Sequence, residues 1–235
     1  MEQVVRVKYS KEGSIKYISH LNLVQVFTRA LRRANIPVLI SSGFNPRFRI
    51  SFGPPLALGI SSSCEFFDIR LTKETSIKEL IQDLNCALPS GLKTIDARII
   101  TSSTDSLVKA IDQSTYLVTL QTNGQDKQIE GNITKSIEKF LDLKEIWIDK
   151  PGKKRIKKLN IRPAILEIKI EEMDIQNKKL VIKLTIKMGN DGNLNPNYVI
   201  KSWLLENRYM FEVMDLSRIG MYVANKEVMQ NKKIL

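Results

Sequence analysis

The chain has 235 residues, 43% of them hydrophobic and 26% charged, which is enough apolar material for a packed core and excludes wholesale disorder. Lys and Arg number 37 against 25 Asp and Glu, a formal charge of +12 that favours a polyanionic partner, RNA or DNA ahead of a membrane. No apolar run reaches the roughly 18 residues of a membrane span, and residues 1–6 lack the regions of a signal peptide, so a cytoplasmic protein with no membrane partner is expected.

In chain order, residues 3–9 alternate apolar and polar side chains and predict a strand. Ser19 stands where a helix running to about Asn35 needs its N-cap. Val38-Leu39-Ile40 follows Pro37 and predicts a short strand, and Gly43-Phe44-Asn45-Pro46 is turn chemistry. The alternation Phe48-Arg49-Ile50-Ser51-Phe52 predicts a strand that ends at Gly53-Pro54-Pro55. Cys64 to Leu71 reads as a strand, Ser76 to Ala87 as a helix closed by Pro89 and Gly91, and Leu92 to Ile100 as a strand.

The second half predicts a strand at Thr115 to Leu120 and a helix at Ile129 to Leu143. Glu145 to Ile148 and Arg155 to Leu159 predict a hairpin around Pro151-Gly152. Strands follow at Ala164 to Met173 and Lys179 to Met188, then a turn at Gly189-Asn190-Asp191-Gly192, a helix at Asn197 to Glu206 and a strand at Phe211 to Val223. The expected fold class is α+β: two tandem ferredoxin-like (βαββαβ) units with mainly antiparallel sheets. One occupies 1–100 and the other 114–235, with a polar linker at 101–113 and a basic hairpin insertion near 145–159 in the second.

Several chemistries are excluded by residue counts. The two cysteines, Cys64 and Cys86, form no CxxC pair, and one histidine, His20, is present, so zinc ribbons, thiol redox motifs and histidine-rich metal sites are out. Neither common glycine-rich phosphate cradle occurs. No metal and no cofactor is expected. Both cysteines are expected in the core.

The residues with functional potential are mostly cationic. On the first helix, His20, Leu23, Val24, Phe27, Ala30 and Leu31 share one side, leaving Arg29, Arg32 and Arg33 as a basic stripe. Arginine forks match phosphate geometry. In Gly43-Phe44-Asn45-Pro46-Arg47-Phe48-Arg49, Phe44 and Phe48 can stack on bases while Arg47 and Arg49 supply charge. The same alternation also fits an ordinary strand with Phe48, Ile50 and Phe52 inward. Six of the nine residues Lys150 to Lys158 are basic, including Lys153, Lys154, Arg155 and Lys157, a charged arm suited to phosphates or an edge that resists strand pairing. His20, in the first turn of its helix, reads either as a neutral general base or as a half-buried structural histidine.

Tyr17-Ile18-Ser19-His20-Leu21-Asn22-Leu23, Arg29-Ala30-Leu31-Arg32-Arg33-Ala34 and Ser42-Gly43-Phe44-Asn45-Pro46 through Ile50-Ser51-Phe52-Gly53-Pro54-Pro55-Leu56 together resemble the signature of the radical SAM-linked proteins. That family is a domain of unknown function that stands alone or fused behind a radical SAM protein with a cobalamin-binding-type domain. The resemblance implies a radical SAM partner. The family carries Asp after His-Leu where this chain has Asn22, which weakens any role that needs a carboxylate there. More distantly, the element order and the Gly-Phe-Asn-Pro to Phe-Gly-Pro-Pro region resemble the tandem ferredoxin-like endoribonucleases that process CRISPR repeats.

The expectation is therefore a non-enzymatic RNA-binding accessory protein, partner of a radical SAM enzyme acting on RNA or a ribonucleoprotein. Its RNA-binding residues are Arg29, Arg32, Arg33, Phe44, Asn45, Arg47, Phe48, Arg49, Lys153, Lys154, Arg155 and Lys157. The alternatives are a metal-independent endoribonuclease using His20 and a protein–protein adaptor that touches no nucleic acid.

Overall fold

The computed structural model describes residues 2–101, 105–122, 129–152, 155–189 and 194–230, without the side chains of 129–131. Eleven strands and five α-helices occur among them, in the α+β, mainly antiparallel class that the sequence predicts. The chain divides into two compact units, Met1–Asp112 with Arg218–Leu235, and Gln113–Ser217.

The first unit opens with β1 (Gln3–Lys11), whose Val5, Val7 and Tyr9 are buried on one face. Helix α1 (His20–Arg33) begins where the Ser19 hydroxyl accepts a hydrogen bond from the Asn22 amide, satisfying one otherwise orphaned donor. Its Leu23, Phe27, Ala30 and Leu31 bury against that face of the sheet. Strand β2 (Ile50–Phe52) and β3 (Ser61–Leu71) follow, then α2 (Ile77–Ala87), β4 (Leu92–Ile100) and the short helix α3 (Leu107–Ala110). β1 pairs antiparallel with both β3 and β4, and β2 pairs antiparallel with β3. The order β4-β1-β3-β2 with helices between the first and second and the third and fourth strands is a split β-α-β arrangement.

In the second unit β5 (Gln113–Thr122) leads to α4 (Ile129–Asp142), and the hairpin β6 (Trp147–Lys150) and β7 (Lys157–Asn160) forms a two-stranded sheet of its own. Then come β8 (Ile165–Asp174), β9 (Lys179–Lys187), α5 (Pro196–Glu206) and β10 (Phe211–Val223), with sheet order β10-β5-β9-β8. Trp203 of α5 is fully buried and its indole N–H donates to the Ser136 hydroxyl of α4. Within the first unit again, β11 (Lys226–Glu227) pairs with the end of β10.

Three local expectations differ from the structure. Residues 38–40 form two isolated bridges, Val38 with Leu71 and Ile40 with Phe48, instead of a strand, since Pro37 brings no amide to extend the ladder. The expected linker is not a free connector. Leu107 and Ile111 are buried in the first unit, and a Cβ on Gly53 would lie 3.8 Å from Leu107 and 3.9 Å from Ile111. Finally, residues from Arg218 onward belong with the first unit and not with the second, because Arg218 is bonded to Glu65 and to the Pro54 carbonyl. Residues 102–104 of the linker and the turn residues Asn190 to Asn193 lie outside the described residues.

Candidate nucleic-acid interface

The inward side of α1 takes its apolar residues, so Arg29, Arg32 and Arg33 fall on the exposed side. They are not equally available. The Arg33 guanidinium donates to the Ala87 carbonyl at the end of α2, where a cation also suits the helix dipole. The Arg32 guanidinium lies over the Phe48 ring, 5.7 Å from its centroid, a cation–π contact. Phe48 itself packs against the helix-side core with Ile50 and Phe52. Of the two readings of that alternation, the core reading holds for Phe48, and its ring carries an arginine where a base would stack.

Phe44 is different. It is fully exposed, at the tip of a turn closed by the Ser41 amide donating to the Arg47 carbonyl (2.8 Å) and the Arg47 amide donating to the Ser41 hydroxyl (3.0 Å). Gly43 has φ 122, a conformation that only glycine adopts without strain. Asn45, Arg47 and Arg49 are exposed beside it. Arg47 and Arg49 alternate with the core-facing Phe48 and Ile50, which turns them to the side of the sheet away from α1. The structure thus separates the α1 arginines from Arg47 and Arg49.

In the second unit, Lys150 pairs with Lys157 and Asp149 with Lys158 across the hairpin. Arg155 and Lys157 are exposed; Lys153 and Lys154 lie outside the described residues. The hairpin also carries a residue that the sequence reading missed. Trp147 is 57% exposed, its indole N–H donating to the Glu145 carboxylate at 2.9 Å. The basic run lies at the tip, while the aromatic lies in the strand leading to it.

His20 is half-buried, edge-on to Phe52 with ring centroids 5.6 Å apart. Its pKa is lowered, chiefly by burial and further by Lys11, against an opposing pull from Glu65. These neighbours were invisible in the sequence. Lys11 donates to the Ile18 carbonyl at 3.3 Å, and burial pushes its pKa down. Glu65 forms a buried ion pair with Arg218 at 3.1 Å. Arg218 also donates to the carbonyl of Pro54 at 3.2 Å, so the Gly-Pro-Pro segment of the signature is a seat for a buried guanidinium. Tyr9 lies in the same environment, its pKa raised by burial and by Glu65. Burial and the same carboxylate push the Cys64 thiol up to about 12, a core residue as expected. Cys86 departs from expectation and is exposed on α2. Among the described residues no group of three or more His, Cys, Asp or Glu side chains is placed to hold a metal ion. No helix among them is long and apolar enough to cross a membrane.

A family model described as an uncharacterized protein conserved in bacteria (DUF2344) matches residues 5–196. The chain belongs to that family. The match takes in both units and every signature stretch from Tyr17 to Leu56. No curated protein matches the chain. Among solved structures, one described as a Cbf5-Nop10-Gar1 complex aligns at TM-score 0.51 and 11% identity, over 93% of this chain and 48% of the other. Another, an H/ACA RNP bound to a substrate RNA containing 2′-deoxyuridine, aligns at TM-score 0.48 and 12% identity, over 92% and 46%. The first is a likeness of fold alone, and the chain spans about half the length of each of these two.

Proposed function

We propose that this protein binds single-stranded RNA without cleaving it, as an accessory to an enzyme that acts on RNA or a ribonucleoprotein. The observation that carries the reading is Phe44, a phenylalanine wholly in solvent with Arg47 and Arg49 exposed beside it. Exposing a phenylalanine forgoes about 1.5–3 kcal/mol of burial, and a base stacked on the ring recovers about 1–3 kcal/mol. Trp147 with Arg155 and Lys157 repeats the combination in the second unit. The assignment of a radical SAM enzyme as partner rests on the signature resemblance; co-purification of such an enzyme with the tagged protein from its native cell tests it.

The RNA test uses a labelled single strand titrated at several salt concentrations. Phe44→Ala should weaken binding by about 1–3 kcal/mol without changing the salt dependence, because stacking releases no counterions. Arg47→Ala with Arg49→Ala should flatten the slope of log affinity against log salt by about 1.4, at roughly 0.7 per phosphate contact. No RNA binding at low salt would leave the adaptor reading in its place.

A second reading has its own support. Lys11 and Glu65 bring charged groups into the surroundings of His20, so a neutral imidazole has a candidate proton-donating neighbour. RNA cleavage in EDTA that vanishes in His20→Ala would establish an endoribonuclease; intact RNA retains the non-catalytic reading.

A further inference from the structure

The face of the first unit's sheet that turns away from α1 and α2 holds a cleft of about 290 Å³ lined by Val4, Arg49, Ser51, Asp68, Arg70 and Ser106, among others. Its two cations are cross-strand neighbours. The register Ile50↔Ile69 and Ser51↔Asp68 puts Arg49 opposite Arg70, and the Arg70 amide donates to the Arg49 carbonyl at 3.2 Å. Cβ atoms of such a pair stand about 4.5–5.5 Å apart, and like charges placed so repel. The acidic residue of the cleft does not relieve them, since both Asp68 oxygens accept from Arg6, at 2.8 and 2.9 Å. Arg6 is itself wholly buried. No side-chain partner of Arg49 or Arg70 is found among the described residues, and the Ser51 and Ser106 hydroxyls are likewise unbonded there.

We infer that this cleft is a binding site for a phosphate monoester, with Arg49 and Arg70 as a two-armed clamp. The charge matches: the Arg6–Asp68 pair cancels, leaving two guanidinium charges for a group that carries about −1.5 to −2 at neutral pH. The donors match as well, because a guanidinium fork meets a phosphate bidentately, and the two hydroxyls remain as further donors to its three free oxygens. A phosphodiester inside a strand offers one charge and two free oxygens; a terminal phosphate offers two charges and three. The clamp therefore selects an end or a small phosphorylated molecule over the middle of a chain. The inference shares Arg49 with the RNA-binding reading and otherwise stands apart from it, since Arg70 has no part in that reading.

The test titrates the full-length protein with inorganic phosphate, with AMP against adenosine, and with one RNA oligomer bearing either a 5′-phosphate or a 5′-hydroxyl. At least one phosphorylated ligand should bind about tenfold or more tightly than its unphosphorylated counterpart. Arg49→Gln and Arg70→Gln should each remove about tenfold, while Lys78→Gln, at an exposed position of α2, leaves it intact. Binding of AMP points to a small-molecule source and binding of the phosphorylated oligomer alone to an RNA end; either supports the clamp. Equal affinities with and without the phosphate, no binding of any phosphorylated ligand, or a preference that survives Arg70→Gln would overturn it. Failure of the 5′-hydroxyl oligomer to bind would count against the RNA reading alone.

Discussion

Replacing Glu65 by methionine strikes the most consequential buried contact of the first unit. The carboxylate is bonded to Arg218, and the two side chains are 6% and 1% exposed. In Glu65→Met the guanidinium stays buried, keeping the Pro54 carbonyl but losing its counter-charge. Breaking one partner of a buried pair costs about 3–5 kcal/mol, whereas removing both can be neutral or stabilising. Glu65→Met with Arg218→Met should therefore recover most of the loss. The assay must see the first unit, and both tryptophans, Trp147 and Trp203, lie in the second. Cys64 supplies the probe: it is buried, and its thiol donates to the Arg218 carbonyl at 3.5 Å. In a Cys86→Ser background, its labelling by a thiol reagent reports opening of the first unit. A loss of 3–5 kcal/mol should speed labelling by about 10²- to 10³·⁵-fold. An acceleration below about fivefold, or a double variant no better than the single, would refute the reasoning.

Gly91→Ala should destabilise the first unit by at least about 1–2 kcal/mol, because Gly91 has φ 88 and an added Cβ would meet the Glu12 carbonyl oxygen at 2.6 Å; slow Cys64 labelling in that variant would contradict this. Ser136→Ala should cost about 1–3 kcal/mol by leaving the buried Trp203 N–H without its acceptor, read by tryptophan fluorescence in urea. His20 titrates in the folded protein below its ordinary value. The unfolded chain then takes up the proton first, so this contribution is complete above about pH 6.5 and declines as the pH falls through that value. Exchange of β1 amides should show the decline in wild type and not in His20→Asn. In the native protein Cys86 alone should react quickly with a thiol reagent, since Cys64 is buried and its pKa is pushed up to about 12; two fast thiols would contradict the packing.

What the sequence determined by itself is local. Alternation placed β1, the Ser19 cap placed the start of α1, and the period of Leu23, Phe27, Ala30 and Leu31 chose its buried side, because these patterns need no distant partner to be read. The exposure of Arg29, Arg47 and Arg49 followed from the same patterns. Tertiary structure decided everything that depends on which strands become neighbours. Pairing of β2 with β3 set Arg49 against Arg70, residues 21 positions apart. The last part of β10 brought Arg218 to Glu65 across 153 positions. The short helix α3 buried Leu107 and Ile111 in what composition made a linker. A buried charge leaves no periodic trace in the chain; its partner is chosen by register, and register exists only once the sheet has formed.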